Sequence, residues 1–235
     1  MTLLATVQRF CRRTNITVPG SVVGSTDPQI AQIYALLEEE GADLSGRGSW
    51  QALTLEATHT TVATESQGAI TTIASDGFRY VKNNTMWDRT ENLPVIVIDG
   101  PDWQAEKGFA STSPRYRARI RGNNLIVTPT PAEGNTWAFE YITWNWILDT
   151  DGTTRKQYFT ADTDTFLLPE PIIQMGIRWR WKKEKGFEYA EDFRTYELMV
   201  ADALSREGLR KTLNMGNEPQ MSSPKIVVNQ GNWPL

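Results

Sequence analysis

The 235-residue chain has a single cysteine, Cys11, and a single histidine, His59. One thiol excludes an internal disulfide framework and fits a reducing compartment. One imidazole leaves His59 as the sole candidate for a Ser-His-Asp or Cys-His arrangement. Zinc sites need clustered Cys and His, so zinc chemistry has too few ligands. Neither G-x-x-x-x-G-K-S/T nor G-x-G-x-x-G occurs, and no G-x-S-x-G elbow is present. No run approaches the roughly 18 apolar residues of a spanning helix. In Met1 to Arg13 the arginines follow the apolar patch, the reverse of a secretory signal, so the chain is expected to be cytosolic at synthesis, with no membrane partner. A net charge of −4 rules out a bulk polycation for coating nucleic acid.

What the chain does have is 40% apolar and 22% charged residues, the balance of a globular protein, and nine tryptophans. Leu3, Leu4, Val7, Phe10 and Cys11 recur at helical steps and predict a first helix with Cys11 as a buried thiol. Asp27-Pro28 supplies an N-cap and an N1 proline for a second helix. Its stripe is Ile30, Ile33, Tyr34 and Leu37, with Gly41 as the expected stop.

From about Gly46 to Leu168 the period shifts toward two. Leu53, Leu55 and Ala57 alternate with Thr54 and Glu56. Tyr116, Ala118 and Ile120 alternate with Arg115, Arg117, Arg119 and Arg121, and Gly122-Asn123-Asn124 turns the chain into Leu125-Ile126-Val127. Leu93 to Ile98 is expected as one strand, buried on both faces or at a covered edge, and Asp99 to Ala110 as one short helix. Trp137, Trp144 and Trp146 fall on opposed faces and are expected in the core. His59, among threonines, is expected as a solvent-facing strand residue. Asp149-Thr150-Asp151-Gly152 resembles part of a calcium loop but fails at both anchor positions, so a turn is expected there.

Helix returns after Pro169. Ile172, Ile173, Gly176, Ile177 and Trp179 fall in helical register up to Gly186, and Tyr189, Phe193, Tyr196, Val200 and Ala203 follow at alternating steps of four and three. In Arg178-Trp179-Arg180-Trp181-Lys182-Lys183 the rings are expected inside, with the basic stems reaching water. The predicted fold is therefore α+β: a helical bundle from residues 1–45 and 169–208, an inserted antiparallel sandwich or barrel over 46–168, and an extended arm over 209–235. Neither helical pair can bury its apolar face alone, which is why the two pairs are joined in one bundle.

Two features point to partners. Arg115, Arg117, Arg119 and Arg121 share one strand face at ~6.6 Å spacing. Like charges in such a row repel unless an acid or a phosphate backbone faces them. The arm carries one β-branched patch, Ile226-Val227-Val228, and Trp233, the one tryptophan in a segment without a core. Such a segment can add a strand to a partner's sheet.

The segments Leu3-Leu4-Ala5-Thr6-Val7-Gln8-Arg9-Phe10-Cys11 and Val22 to Glu40 resemble the head-to-tail adaptor proteins of tailed bacteriophages. So does the stretch from Phe166-Leu167-Leu168-Pro169-Glu170 through Trp179-Arg180-Trp181-Lys182 to Gly186-Phe187-Glu188-Tyr189. That family includes the tail tubular protein A type of short-tailed phages, in which terminal helices form a bundle around a β-rich domain. The resemblance implies a structural protein rather than an enzyme, with no cofactor. About twelve copies would form a ring beneath the portal protein, in the virion neck. The ring would continue the channel for genomic DNA and present a surface to a tail or nozzle protein. Ile226, Val227, Val228 and Trp233 would dock on the portal, and Arg115, Arg117, Arg119 and Arg121 would contact DNA or a neighbouring subunit. The alternative from the residues alone is a carbohydrate- or receptor-binding β module on a helical anchor; a hydrolase with acidic catalytic residues is a third reading.

Overall fold

The computed structural model describes residues 1–108 and 115–207. Helix α1 (Leu3–Thr14) starts where Thr2 Oγ1 accepts from the Ala5 N–H at 3.4 Å, and it buries the expected stripe of Leu3, Val7, Phe10 and Cys11. Helix α2 (Pro28–Gly46) begins at the expected cap, with Asp27 Oδ1 accepting from the Gln29 N–H at 2.8 Å. It does not stop at Gly41. A Cβ there would lie 2.1 Å from the Trp146 ring, so the glycine is a notch for an aromatic, and the helix continues through Leu44.

Helices α5 (Glu170–Glu184) and α6 (Ala190–Glu207) close the described chain. One core joins both ends of the sequence. Leu3, Val7 and Phe10 of α1 meet Ile33, Leu37 and Leu44 of α2, Ile173 and Ile177 of α5, and Tyr196 and Val200 of α6. The terminal helices therefore complete each other's apolar faces.

Between them lie two face-to-face sheets. The first contains β1 (Thr54–Thr60), β9 (Thr136–Thr143), β4 (Trp87–Asp88) and β5 (Leu93–Pro94) in that order, with β3 (Phe78–Val81) also on β9. The second runs β2 (Ser66–Ala69), β8 (Asn124–Thr128), β7 (Arg117–Arg121) and β6 (Ile96–Val97). Trp137, Phe139 and Tyr141 from β9 face Ala118, Leu125 and Val127 from the second sheet, and the four-residue α3 (Ile70–Ile73) plugs one end with Ile70. The β7–β8 hairpin turns on Gly122 and Asn123 at φ 55° and 67°, the signature of a type I′ turn.

The segment Leu93 to Ile98 differs from expectation. Leu93–Pro94 pairs with β4, Ile96–Val97 pairs in parallel with β7, and only Val95 between them enters the core. Leu93 and Val97 are exposed. A proline cannot donate to a ladder, so the strand breaks at Pro94 and crosses from one sheet to the other. The expected short helix after it is α4 (Gly100–Gly108).

The bundle also claims part of the segment expected in the insert. Trp50, Leu53, Ile142, Trp146, Ile147, Phe159 and Leu168 belong to the helical core. The small sheet of β11 (Arg155–Lys156), β10 (Ile147–Leu148) and β12 (Thr165–Phe166) carries the Trp146, Phe159 and Phe166 rings, with Trp146–Phe159 and Phe159–Phe166 centroids 5.3 and 5.2 Å apart. Its loop also holds the start of α1: the Leu3 N–H donates to the Asp164 carbonyl at 2.8 Å. The sandwich proper thus spans residues 54–143, and 146–168 forms a second layer on the helices. Among the described residues no helix is long and apolar enough to cross a membrane.

Candidate partner-binding surfaces

Strand β7 points Ala118 into the sandwich and Arg117, Arg119 and Arg121 away from it, while Arg115 precedes the strand. Helix α4 lies across this arginine face. Glu106 Oε1 is 3.1 Å from Arg117 Nε, and a Cβ on Gly100 would lie 3.3 Å from the Arg119 guanidinium. The facing acid that such a row requires thus comes, for Arg117, from within the chain. Arg121 stays exposed beside the hairpin turn.

Arg180 breaks the expectation that the basic stems of α5 reach water. It turns inward between α5 and α2, with Nε 2.8 Å from Glu40 Oε2, Nη2 2.9 Å from Asp43 Oδ2 and Nη1 on Glu39. Three acids on one turn of α2 need several donors in fixed geometry, which a guanidinium fork supplies. Asp43 also accepts from Arg47, whose Nη1 reaches Glu197 of α6 at 2.6 Å. Glu40 is fully buried, and its Oε1 has no hydrogen-bond partner among the described residues. Burial pushes its carboxyl up to about 7, against the pull of Arg180 and Tyr196. The Tyr196 phenol is pushed up by burial and by Glu40.

The remaining cations of the run do reach the surface. Arg178 and Lys182 project beside Arg13 of α1 into a groove of about 340 Å³ floored by Phe10 and Trp181. Those rings meet edge-on at 5.9 Å, and Phe187 lies 5.8 Å from Trp181. Asp192 of α6 holds Arg178 Nε at 3.3 Å and also pairs with Lys182. Phe187 leaves an exposed aromatic rim beside Trp181, while the exposed Tyr189 and Phe193 pack on Trp179. Trp179, by contrast, is buried as expected, packed on Phe193 at 5.0 Å.

On the outer face of the first sheet, Glu56 and Glu140 stand directly opposite each other on β1 and β9. Arg89 neutralises the first at 2.7 Å and Lys82 the second at 3.3 Å. Glu56, Glu140 and Arg89 line, with Trp87 and Asn92, an open groove of about 410 Å³.

Trp144 is not a core residue: it is 41% exposed, whereas Trp137 and Trp146 are buried. Its ring lies 4.3 Å from the Arg79 guanidinium. Arg79 in turn donates to the Ser45 and Gly46 carbonyls at 2.7 and 2.9 Å, satisfying the C-terminus of α2 from the sandwich side. Sandwich and bundle are joined at this point.

The other candidates resolve as structure. His59 is half-buried rather than fully solvent-facing. Its Nε2 lies 3.4 Å from Gln67 Oε1, and burial lowers its pKa. Cys11 is buried, with its thiol pushed up by burial. Asp149 to Gly152 forms the β10–β11 turn, where Asp151 Oδ1 accepts from the Thr153 and Thr154 N–H groups. Asp162 accepts from Val22 and Val23 N–H, and Asp164 from Thr160 and Ala161 N–H. Among the described residues no group of three His, Cys, Asp or Glu side chains is arranged to hold a metal. Ile226, Val227, Val228 and Trp233 lie outside the described residues. No family model matches the chain, and no curated protein matches it.

Proposed function

We propose that this chain is the repeating subunit of a phage head-to-tail adaptor ring, located in the virion neck and assembled in the host cytoplasm. The observation that carries this reading is the shared core of α1, α2, α5 and α6, built from both ends of the sequence around an intervening sandwich. This is the layout that the adaptor resemblance implies. The bundle faces the portal protein and the sandwich faces the tail or nozzle protein. The capping of α2 by Arg79 supports such a role, because it lets load applied to one layer reach the other through hydrogen bonds.

In this reading about twelve copies close a ring around the DNA channel. Arg121 and the neighbouring arginines of β7 contact the next subunit or the passing duplex, without sequence readout because they meet phosphates rather than base edges. The arm, through Ile226 to Val228 and Trp233, adds to the portal surface. Sedimentation of the protein alone and with purified portal rings tests the proposal. The expected result is a slow, monomeric species alone and co-sedimentation near one copy per portal subunit. Failure to join portals, together with retention on immobilised glycans, would favour the carbohydrate-binding module instead.

A further inference from the structure

The groove between α1 and α5 brings cations from two helices together over an aromatic floor. Arg13 forms one wall and Arg178 and Lys182 the other, and among the described residues the acid in contact with these cations is Asp192, one carboxylate against three positive charges. Cations in the last turns of α1 and α5 offset the helix dipoles wherever they point. That role does not require them to converge over an aromatic floor. Arg178 and Lys182 share the single carboxylate of Asp192, and Arg13 makes no ion pair among the described residues. Gln174, only 6% exposed, lines the same groove and is fixed by its Nε2 donating to the Thr6 carbonyl at 3.1 Å. At the rim Phe187 is 56% exposed.

We propose that this groove docks an acidic peptide segment of a partner protein, with its carboxylates on Arg13, Arg178 and Lys182 and one apolar side chain on the Phe10–Trp181 floor. The excess of cations selects an anion, and the apolar floor selects one that carries hydrophobic groups. A nucleic acid fits less well. Base stacking needs an open ring face, yet Phe10 sits edge-on to Trp181 and Phe187 lies over it at an interplanar angle of 35°. A groove of about 340 Å³ takes a few side chains of an extended segment rather than a duplex backbone. The proposal is independent of the adaptor reading, since any partner with such a segment would satisfy it.

Fluorescence polarisation of a labelled peptide alternating glutamate and leucine, titrated with the full chain, tests the inference. The glutamine-leucine counterpart and a short DNA duplex serve as competitors. The account expects the glutamate peptide to bind, its glutamine counterpart to compete roughly tenfold more weakly or worse, and added salt to release it. Arg13→Gln, at an exposed position, should weaken binding by a similar factor while costing no more stability than the loss of one helix-dipole contact. Arg178→Gln combined with Asp192→Asn gives a second test that leaves no uncompensated acid. No binding, equal competition by the glutamine peptide, full affinity in both variants, or stronger competition by the duplex would each overturn it.

Discussion

The carboxylate of Glu40 lies against the bare backbone of Gly176: a Cβ at position 176 would sit 2.1 Å from its carboxyl carbon. The pairing of α2 with α5 is therefore set at a point where one helix offers a buried acid and the other offers no side chain at all. In an exposed helix, glycine to alanine gains about 1 kcal/mol from backbone entropy. Here the same change forces Glu40 off Arg180 and overpacks the contact, at about 1–3 kcal/mol or more. Gly176→Ala should thus lower stability in urea titration by about 1 kcal/mol net, opposite in sign to the helix propensity.

Arg180 faces Glu40, and among the described residues no other cation is at hydrogen-bond distance from it. Arg180→Met removes that cation; a stranded buried charge costs about 3–5 kcal/mol, and this is the upper bound here because Glu40, already raised to about 7, takes up a proton instead. Adding Glu40→Met to it replaces the pair by apolar groups and should recover most of that loss. Thermal melts of the two single variants and the double variant measure the coupling directly.

Glu40 also makes a pH prediction with a definite sign. Its folded carboxyl titrates near 7 against an ordinary value of 4.5, because burial disfavours its charge. Between those values the folded chain holds a proton that the unfolded chain has released. The stability from this group is therefore fully present below about pH 4.5 and is lost as pH rises through 7. Asp164 works the other way: burial pushes it up, but Lys156 and the Thr160 and Ala161 N–H groups outweigh burial and hold it below its ordinary 3.8. Its contribution is present above that value and is lost only in stronger acid. Urea unfolding across pH 5 to 8 should show a falling component that Glu40→Gln flattens.

Arg79 predicts a link between the layers. Arg79→Ala removes two charge-assisted bonds to the end of α2 and the cation beneath Trp144, a loss of about 2 kcal/mol. The expected signature is early hydrogen exchange at Leu44 to Gly46, with the sandwich amides unaffected.

Much of this fold is legible in the sequence because local chemistry and tertiary packing agree. Asp27-Pro28 starts a helix, Gly122-Asn123 turns a hairpin, and the stripe of α1 marks its buried face, whereas of the α6 stripe Tyr196 and Val200 are buried and Tyr189 and Phe193 are exposed. The failures are places where a distant partner decides. Gly41 reads as a helix stop, but Trp146, more than a hundred positions away, makes it a contact site. Pro94 divides what hydropathy presents as one strand. Residues 146–168 have β character, yet their aromatic side chains fill the space over the bundle rather than the sandwich. Arg180 and Arg178 look alike in the run, and only the acids of α2 draw one inward. The surface groove was half legible: the basic-aromatic run of α5 is plain, whereas Arg13 and Phe10 join it only through the packing of α1. Glu106 opposite Arg117 is likewise a product of topology.

The adaptor account is tested most directly by electron cryomicroscopy of purified portal rings mixed with the full chain. It predicts a closed ring of copies seated beneath the portal, with α1, α2, α5 and α6 against it and the sandwich pointing toward the tail. Portals imaged bare, with the protein left as free monomers, would contradict it.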